Sequence, residues 1–214
     1  MRSLRTLATV AFGLLLAAGT VTADTEVYKI DSSHSQVGFS IRHFFSKVPG
    51  KFKTYEGTIS LDPKDLSKTV AEVTIDTASI DTGNGDRDSH LQSSDFFDAA
   101  KFPKITFKST GVTPQSATKA TMKGELTIHG VTKPVTLDAE VLGYSPDPWG
   151  NFRAGFEAKT KINRQDFGVS WNKVVEGGGA VLSDEVEITI NIEGVRPAPK
   201  AATPAPPAAP PKKN

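Results

Sequence analysis

Four histidines and one charged stretch are the groups in this sequence whose types could do acid–base or ligand chemistry. His34, His43, His90 and His129 stand apart from one another. No two fall at the H-x-H or H-x-x-x-H spacing with which a strand or helix offers two imidazoles to one metal ion. There is no cysteine, so thiolate metal sites, thiol nucleophiles and disulfides are excluded. No nucleophile elbow, P-loop or dinucleotide fingerprint occurs. The sequence calls for no metal and no cofactor. A catalytic reading would rest on His43 or His90 as general base, with partners brought from distant positions by the fold.

Two places concentrate what polar chemistry there is. His43 ends an apolar series, Val37, Phe39 and Ile41, and follows Arg42. A polar group there could hold the head of an amphiphile whose tail lies on Phe39 and Ile41; an ordinary hydrogen-bonded strand-end histidine fits as well. The second place is Arg87-Asp88-Ser89-His90-Leu91, inside the irregular stretch from Asp81 to Lys101. Loops on a rigid scaffold carry binding groups. The competing account is internal, with Arg87 tied to an aspartate and Leu91, Phe96 and Phe97 plugging the end of the fold.

The elements that must position these groups are strands. Apolar and polar residues alternate with period two in eight segments, the signature of half-buried strands. They are Val37–His43, Thr54–Leu61, Glu72–Asp76, Ile105–Lys108, Thr121–Ile128, Val135–Val141, Phe152–Ile162 and Val186–Glu193. A lead strand at Val27–Ile30 makes a ninth. His129-Gly130 reads as a tight hairpin turn, Ser145–Gly150 as another, Asp62-Pro63 as a turn, and Gly177–Gly179 as a mobile loop. The spacing of Arg87, His90 and Leu91 suggests a short helix. Short connections imply antiparallel pairing, and closure into a barrel removes exposed edges.

Alternation alone leaves the inside undecided, because an outer-membrane barrel alternates too. Lys108, Lys123, Glu125, Asp138, Glu140, Arg153, Glu157, Lys159, Lys161, Glu187 and Glu193 would then crowd a lumen of about eight strands, barely wide enough for side chains. Two Trp and three Tyr are also too few for aromatic girdles. The charges therefore face water and the apolar faces point inward. Those faces mix large residues, Phe39, Phe107 and Phe156, with small ones, Gly57, Gly124, Ala139, Ala154 and Ala158. Complementary packing in a taper explains this mixture; a tunnel left by the small residues explains it equally.

The ends stand apart. Residues 1–23 read as a signal peptide, with Arg2 and Arg5 before an apolar run shorter than the ~20 residues of a membrane span. Cleavage is expected before Asp24, with export to the periplasm. Residues 196–214 are mainly Pro, Ala and Lys, the composition of a disordered tail. Lys200, Lys212 and Lys213 could give that tail transient contact with a membrane surface. Residues 24–195 form one domain. The formal net charge of +1, with scattered lysines, gives no nucleic-acid footprint. Leu142 and Tyr144, outward and apolar, hint at a homodimer face.

Several stretches of this core resemble the YceI family of exported lipid-binding proteins. They include Ile30-Asp31-Ser32-Ser33-His34-Ser35, Val48-Pro49-Gly50-Lys51-Phe52, Arg87 to Leu91, Leu126 to Val135, and Ile162-Asn163-Arg164-Gln165-Asp166-Phe167-Gly168-Val169. The resemblance implies an antiparallel lipocalin-like barrel that binds a long isoprenoid chain in an apolar tunnel, as carrier or store, and so favours a real cavity. The tail would lie against Phe39, Ile41, Ile59, Ile75, Phe107, Leu126, Phe156 and Ile188. His43, Arg42, Arg87 or Trp171 would meet the head group. The rivals are an enzyme acting on such a lipid and a ligand-free structural protein of the envelope.

Overall fold

The computed structural model describes residues 25–175 and 179–197. The proposed signal peptide, nearly all of the Pro/Ala tail, and Gly177 and Gly178 of the predicted loop lie outside the described residues. Eight antiparallel strands close a barrel: β1 (Glu26–Ile30), β4 (Tyr55–Leu61), β5 (Val70–Asp76), β7 (Lys104–Pro114), β8 (Lys119–Ile128), β9 (Val131–Pro146), β10 (Asn151–Asn163) and β13 (Leu182–Pro197). The ring shuts where Lys29 and Ile30 of β1 pair with Val195 and Gly194 of β13. β13 continues through Pro197. The expected tail boundary therefore moves outward, because Arg196 is a barrel residue that pairs with Glu26 at 2.9 Å and stacks over Phe152.

β2 (Gln36–His43) lies outside that ring. It pairs with β13 alongside the place where β1 joins it, and carries β3 (Ser46–Phe52) and β6 (Ile80–Asp81) beyond. These three strands form a flap that completes the wall at one end, and the amides of Lys53 and Asp76 bond it to the chain beside β4 and β5. Alternation revealed β2 but not β3, whose sequence Ser46–Phe52 does not alternate. In the sheet, Pro49 lies where β3 has a neighbour on one side only, as a proline requires. Gly50 faces Phe39, whose ring occupies the space a Cβ would need. Two further strands, β11 (Val174–Val175) and β12 (Gly179–Ala180), pair with each other in a separate two-stranded sheet among the described residues.

The apolar faces point inward. Charged partners such as Lys108 and Glu72, 2.9 Å apart, or Lys161 and Glu185, also 2.9 Å, meet across strands on the outside. At the end remote from the flap the barrel is plugged by Tyr28, Leu61 and Ala154, with Phe152 and Phe156 against them. Burial holds the Tyr28 hydroxyl up at about 12, so it stays a neutral donor to Glu26. At the flap end the chain from 81 to 101 folds across as a cap. Its helix α1 (Gly85–Gln92) starts at Asn84, whose side chain accepts from the Arg87 amide at 3.0 Å. The His129-Gly130 hairpin turn has φ of 51° and 74°, both left-handed, as its tightness demands.

A candidate ligand cavity under the flap

Between flap, cap and barrel wall lies a cavity of about 390 Å³, within the size range of small-molecule sites. Its lining is almost wholly apolar. β2 contributes Val37, Phe39 and Ile41; β5 Val73 and Ile75; β7 Ile105 and Phe107; β8 Leu126 and Ile128. β9 adds Val135 and Leu137, β10 Ile162, and β13 Val186, Ile188, Ile190 and Ile192. β1 and β4 contribute nothing, because the cavity sits beneath the flap and the plug fills the barrel beside those strands.

That asymmetry sorts the residues expected to meet a ligand. Phe39, Ile41, His43, Ile75, Phe107, Leu126, Ile188, Arg87 and Trp171 all line the cavity. Ile59, Phe156 and Arg42, expected beside them from the sequence, do not. Ile59 is on β4, inside the packed core. Phe156 belongs to the plug, edge-on to Tyr28 at 6.3 Å. Arg42 is exposed and donates through Nη1 to the Phe44 carbonyl at 2.8 Å. Of the small inward residues, Gly57, Gly124, Ala139, Ala154 and Ala158 do not line the cavity. The Phe107 ring fills the space at Gly124, and the β5 backbone closes on Gly57.

The polar groups gather at the capped end. Arg87 donates through Nε to Thr82 Oγ1 at 2.7 Å and through Nη2 to the Thr82 carbonyl at 2.9 Å. The expected tie to an aspartate is therefore made to a threonine instead, and Asp88 takes the Thr82 amide from the other side at 2.9 Å. His90 stacks edge-on against Trp171 and Phe96, with centroids 5.1 and 5.0 Å away, while its Nε2 meets Asp95 at 2.9 Å. Leu91, Phe96 and Phe97 complete the cap over the cavity. No serine or threonine hydroxyl is hydrogen-bonded to the His43 or His90 ring among the described residues.

Sequence reading overlooked Arg164 as a site residue. It is 5% exposed, lines the cavity, and donates to the carbonyls of Ser183 (3.0 Å), Val169 (2.7 Å) and Trp171 (2.9 Å), with Asp184 at 3.3 Å. Burial pulls its guanidinium below the ordinary value and Asp184 opposes this; an arginine remains charged regardless. Arg164 thereby fixes the segment that carries Trp171 into the cavity wall. Its only sequence signal was its place in the stretch from Asn163 to Val169.

One cluster has the makings of a cation site. Ligand atoms of Asp31, His34 and Glu193 lie within 4.8 Å of one another. Arg153 already supplies the positive charge there, with Nη1 on both Asp31 (3.1 Å) and Glu193, and Nε on Asp147 at 3.0 Å. Hydrogen bonds from Ser33, His34 and Arg153 hold the Asp31 carboxyl well below the usual carboxylate range. This cluster ties the start of β2 to β10 and β13, away from the cavity.

Comparison with known proteins agrees with this architecture. The YceI-like domain family matches residues 28–194. Protein YceI of Escherichia coli O157:H7 is 42% identical over 186 residues, covering 86% of this chain and 93% of its own. Among solved structures, BcnA of Burkholderia cenocepacia superimposes with a TM-score of 0.67 at 27% identity, over 77% of this chain and 98% of that one. A polyisoprenoid-binding domain from Saccharophagus degradans superimposes at 0.55 with 16% identity, over 82% and 100%, and so shares the fold.

Proposed function

The chain belongs to the YceI-like family, and from that premise we propose that it binds the hydrocarbon chain of an isoprenoid, or a similar long amphiphile, as a carrier or store in the periplasm. The observation that carries this reading is the cavity, apolar along its length, with Thr82, Arg87, His90 and Arg164 at the capped end. Each buried CH₂ contributes about 0.8 kcal/mol, so several isoprene units supply ample gross driving force against the cost of ordering them. His43, Arg87 and Trp171 are the groups placed to meet a head group. The ligand class follows the family resemblance and the name of the Saccharophagus domain. Export rests on the apolar N-terminal segment that follows Arg2 and Arg5. Binding asks nothing of a reactive residue, and the reading is of a binding protein rather than an enzyme.

The test is native mass spectrometry of protein isolated from its own envelope, followed by organic extraction. One bound molecule of polyisoprenoid mass per chain is the expected result. A clean unliganded mass, together with no uptake of added decaprenol, would overturn the proposal and leave a structural role.

A further inference from the structure

The flap hairpin ends in two adjacent phenylalanines. Phe45 is fully exposed and Phe44 is 39% exposed. Phe44 also has φ of 49°, in the first central position of a two-residue turn, where an L side chain is strained and glycine is the default. Such a strained, wet aromatic calls for a role outside the folding of the barrel. Val174, 83% exposed, stands on the neighbouring hairpin, which is joined to this one through the Phe44 amide on the Val181 carbonyl (2.9 Å) and the Val181 amide on the Lys173 carbonyl (3.0 Å).

Basic side chains surround the apolar tip. Arg42 and Lys47 face each other across the hairpin, and Lys173 precedes Val174. Lys47 is shared with Glu187 at 2.6 Å, while Arg42 is held at the tip by the Phe44 carbonyl. Just behind the tip, His43, Val48, Val181 and Leu182 line the cavity. The tip and this part of the cavity wall therefore form one rim.

We propose that this rim docks on the interface of an anionic phospholipid bilayer. Phe45, Phe44 and Val174 enter the upper acyl region, and Arg42, Lys47 and Lys173 meet the phosphates. Aromatic residues flanked by cations suit that boundary. A narrow convex turn with three apolar side chains suits it better than a protein partner, which needs on the order of 800 Å² from each side. Another exposed apolar cluster, Leu142, Tyr144 and Trp149, lies at the opposite end of β9 and β10, remote from the cavity. Docking would let a hydrocarbon chain pass between bilayer and cavity without crossing water. That consequence rests on the proposed ligand; docking itself does not.

The test is co-sedimentation of the protein, isolated from an exporting host, with phosphatidylcholine–phosphatidylglycerol vesicles. Wild type should pellet with these vesicles and far less with pure phosphatidylcholine. F45S should weaken binding about tenfold, the loss of one phenylalanine's burial, with an unchanged melting temperature. R42Q/K173Q should weaken it and flatten its salt dependence. Equal binding by F45S and wild type would overturn the proposal. So would a wild-type protein that stays in the supernatant, or a dimer broken by F45S with no vesicle binding. Decaprenol uptake, measured separately, tells the two proposals apart: uptake without vesicle binding ends docking alone, and vesicle binding without uptake supports docking while ending the carrier reading.

Discussion

Replacing Ile188 with tryptophan should fill the cavity while leaving the barrel intact. Ile188 sits midway along the cavity wall on β13, paired with Phe39 on one side and Thr160 on the other, and is only half-buried. In a close-packed core an enlarged side chain costs about 1–3 kcal/mol. Here the added ring enters open space, so the stability change should stay under about 1 kcal/mol, a shift of about 2–4 °C in melting temperature at most. The ligand loses what the ring takes. Exclusion of three methylenes at about 0.8 kcal/mol each removes about 2.4 kcal/mol, about 50-fold in Kd. The assay is decaprenol binding followed by native mass spectrometry or co-elution, beside a melting curve. Thr189→Trp, outward on the same strand, is the control and should bind as wild type. Wild-type affinity in I188W would refute the placement of the ligand. A fall of ten degrees or more in melting temperature, well beyond the shift of about 2–4 °C expected for that cost, would refute the cavity itself.

Two further perturbations probe the supports of the site. Arg164→Met keeps the bulk but strands three carbonyls on the segments that hold Trp171. At about 1 kcal/mol or more for each, the loss should be about 3 kcal/mol in a denaturant titration, with weakened ligand uptake. Retention of full stability would show that water replaces the guanidinium. Acid should unlock the cluster around Arg153. Asp31 has its folded-state pKa lowered by Ser33, His34 and Arg153, so its contribution is complete above the unfolded value of about 3.9 and is lost as pH falls toward the folded value. Melting temperature should hold steady from neutrality to about pH 4 and then decline, and Asp31→Asn should be less stable at neutrality with a flatter acid limb. A decline that begins well above that value would assign acid sensitivity to other groups.

Period-two alternation is a local property, and it is enough to announce an antiparallel barrel with charges outward, because each strand must bury one face. Tight turns and short helical spacings are equally local, so His129-Gly130 and the helix around Arg87, His90 and Leu91 belong to the sequence, whereas its start at Asn84 comes from the structure. What lies beyond it depends on which strands become neighbours. Alternation marks β2 and β1 alike as strands, but only tertiary pairing puts β1 in the ring and swings β2 out to head the flap. That choice decides where the cavity lies, and with it why Ile188 lines the cavity while Ile59 and Phe156, equally apolar and inward, are core. The glycines show the same division. Gly124 is visible as a small inward residue, but whether its space is a tunnel or a seat for Phe107 depends on the partner strand. Arg164 is the extreme case. In sequence it is a charged residue after a strand, and it can be buried only because carbonyls from Val169, Trp171 and Ser183 converge on it in the folded chain.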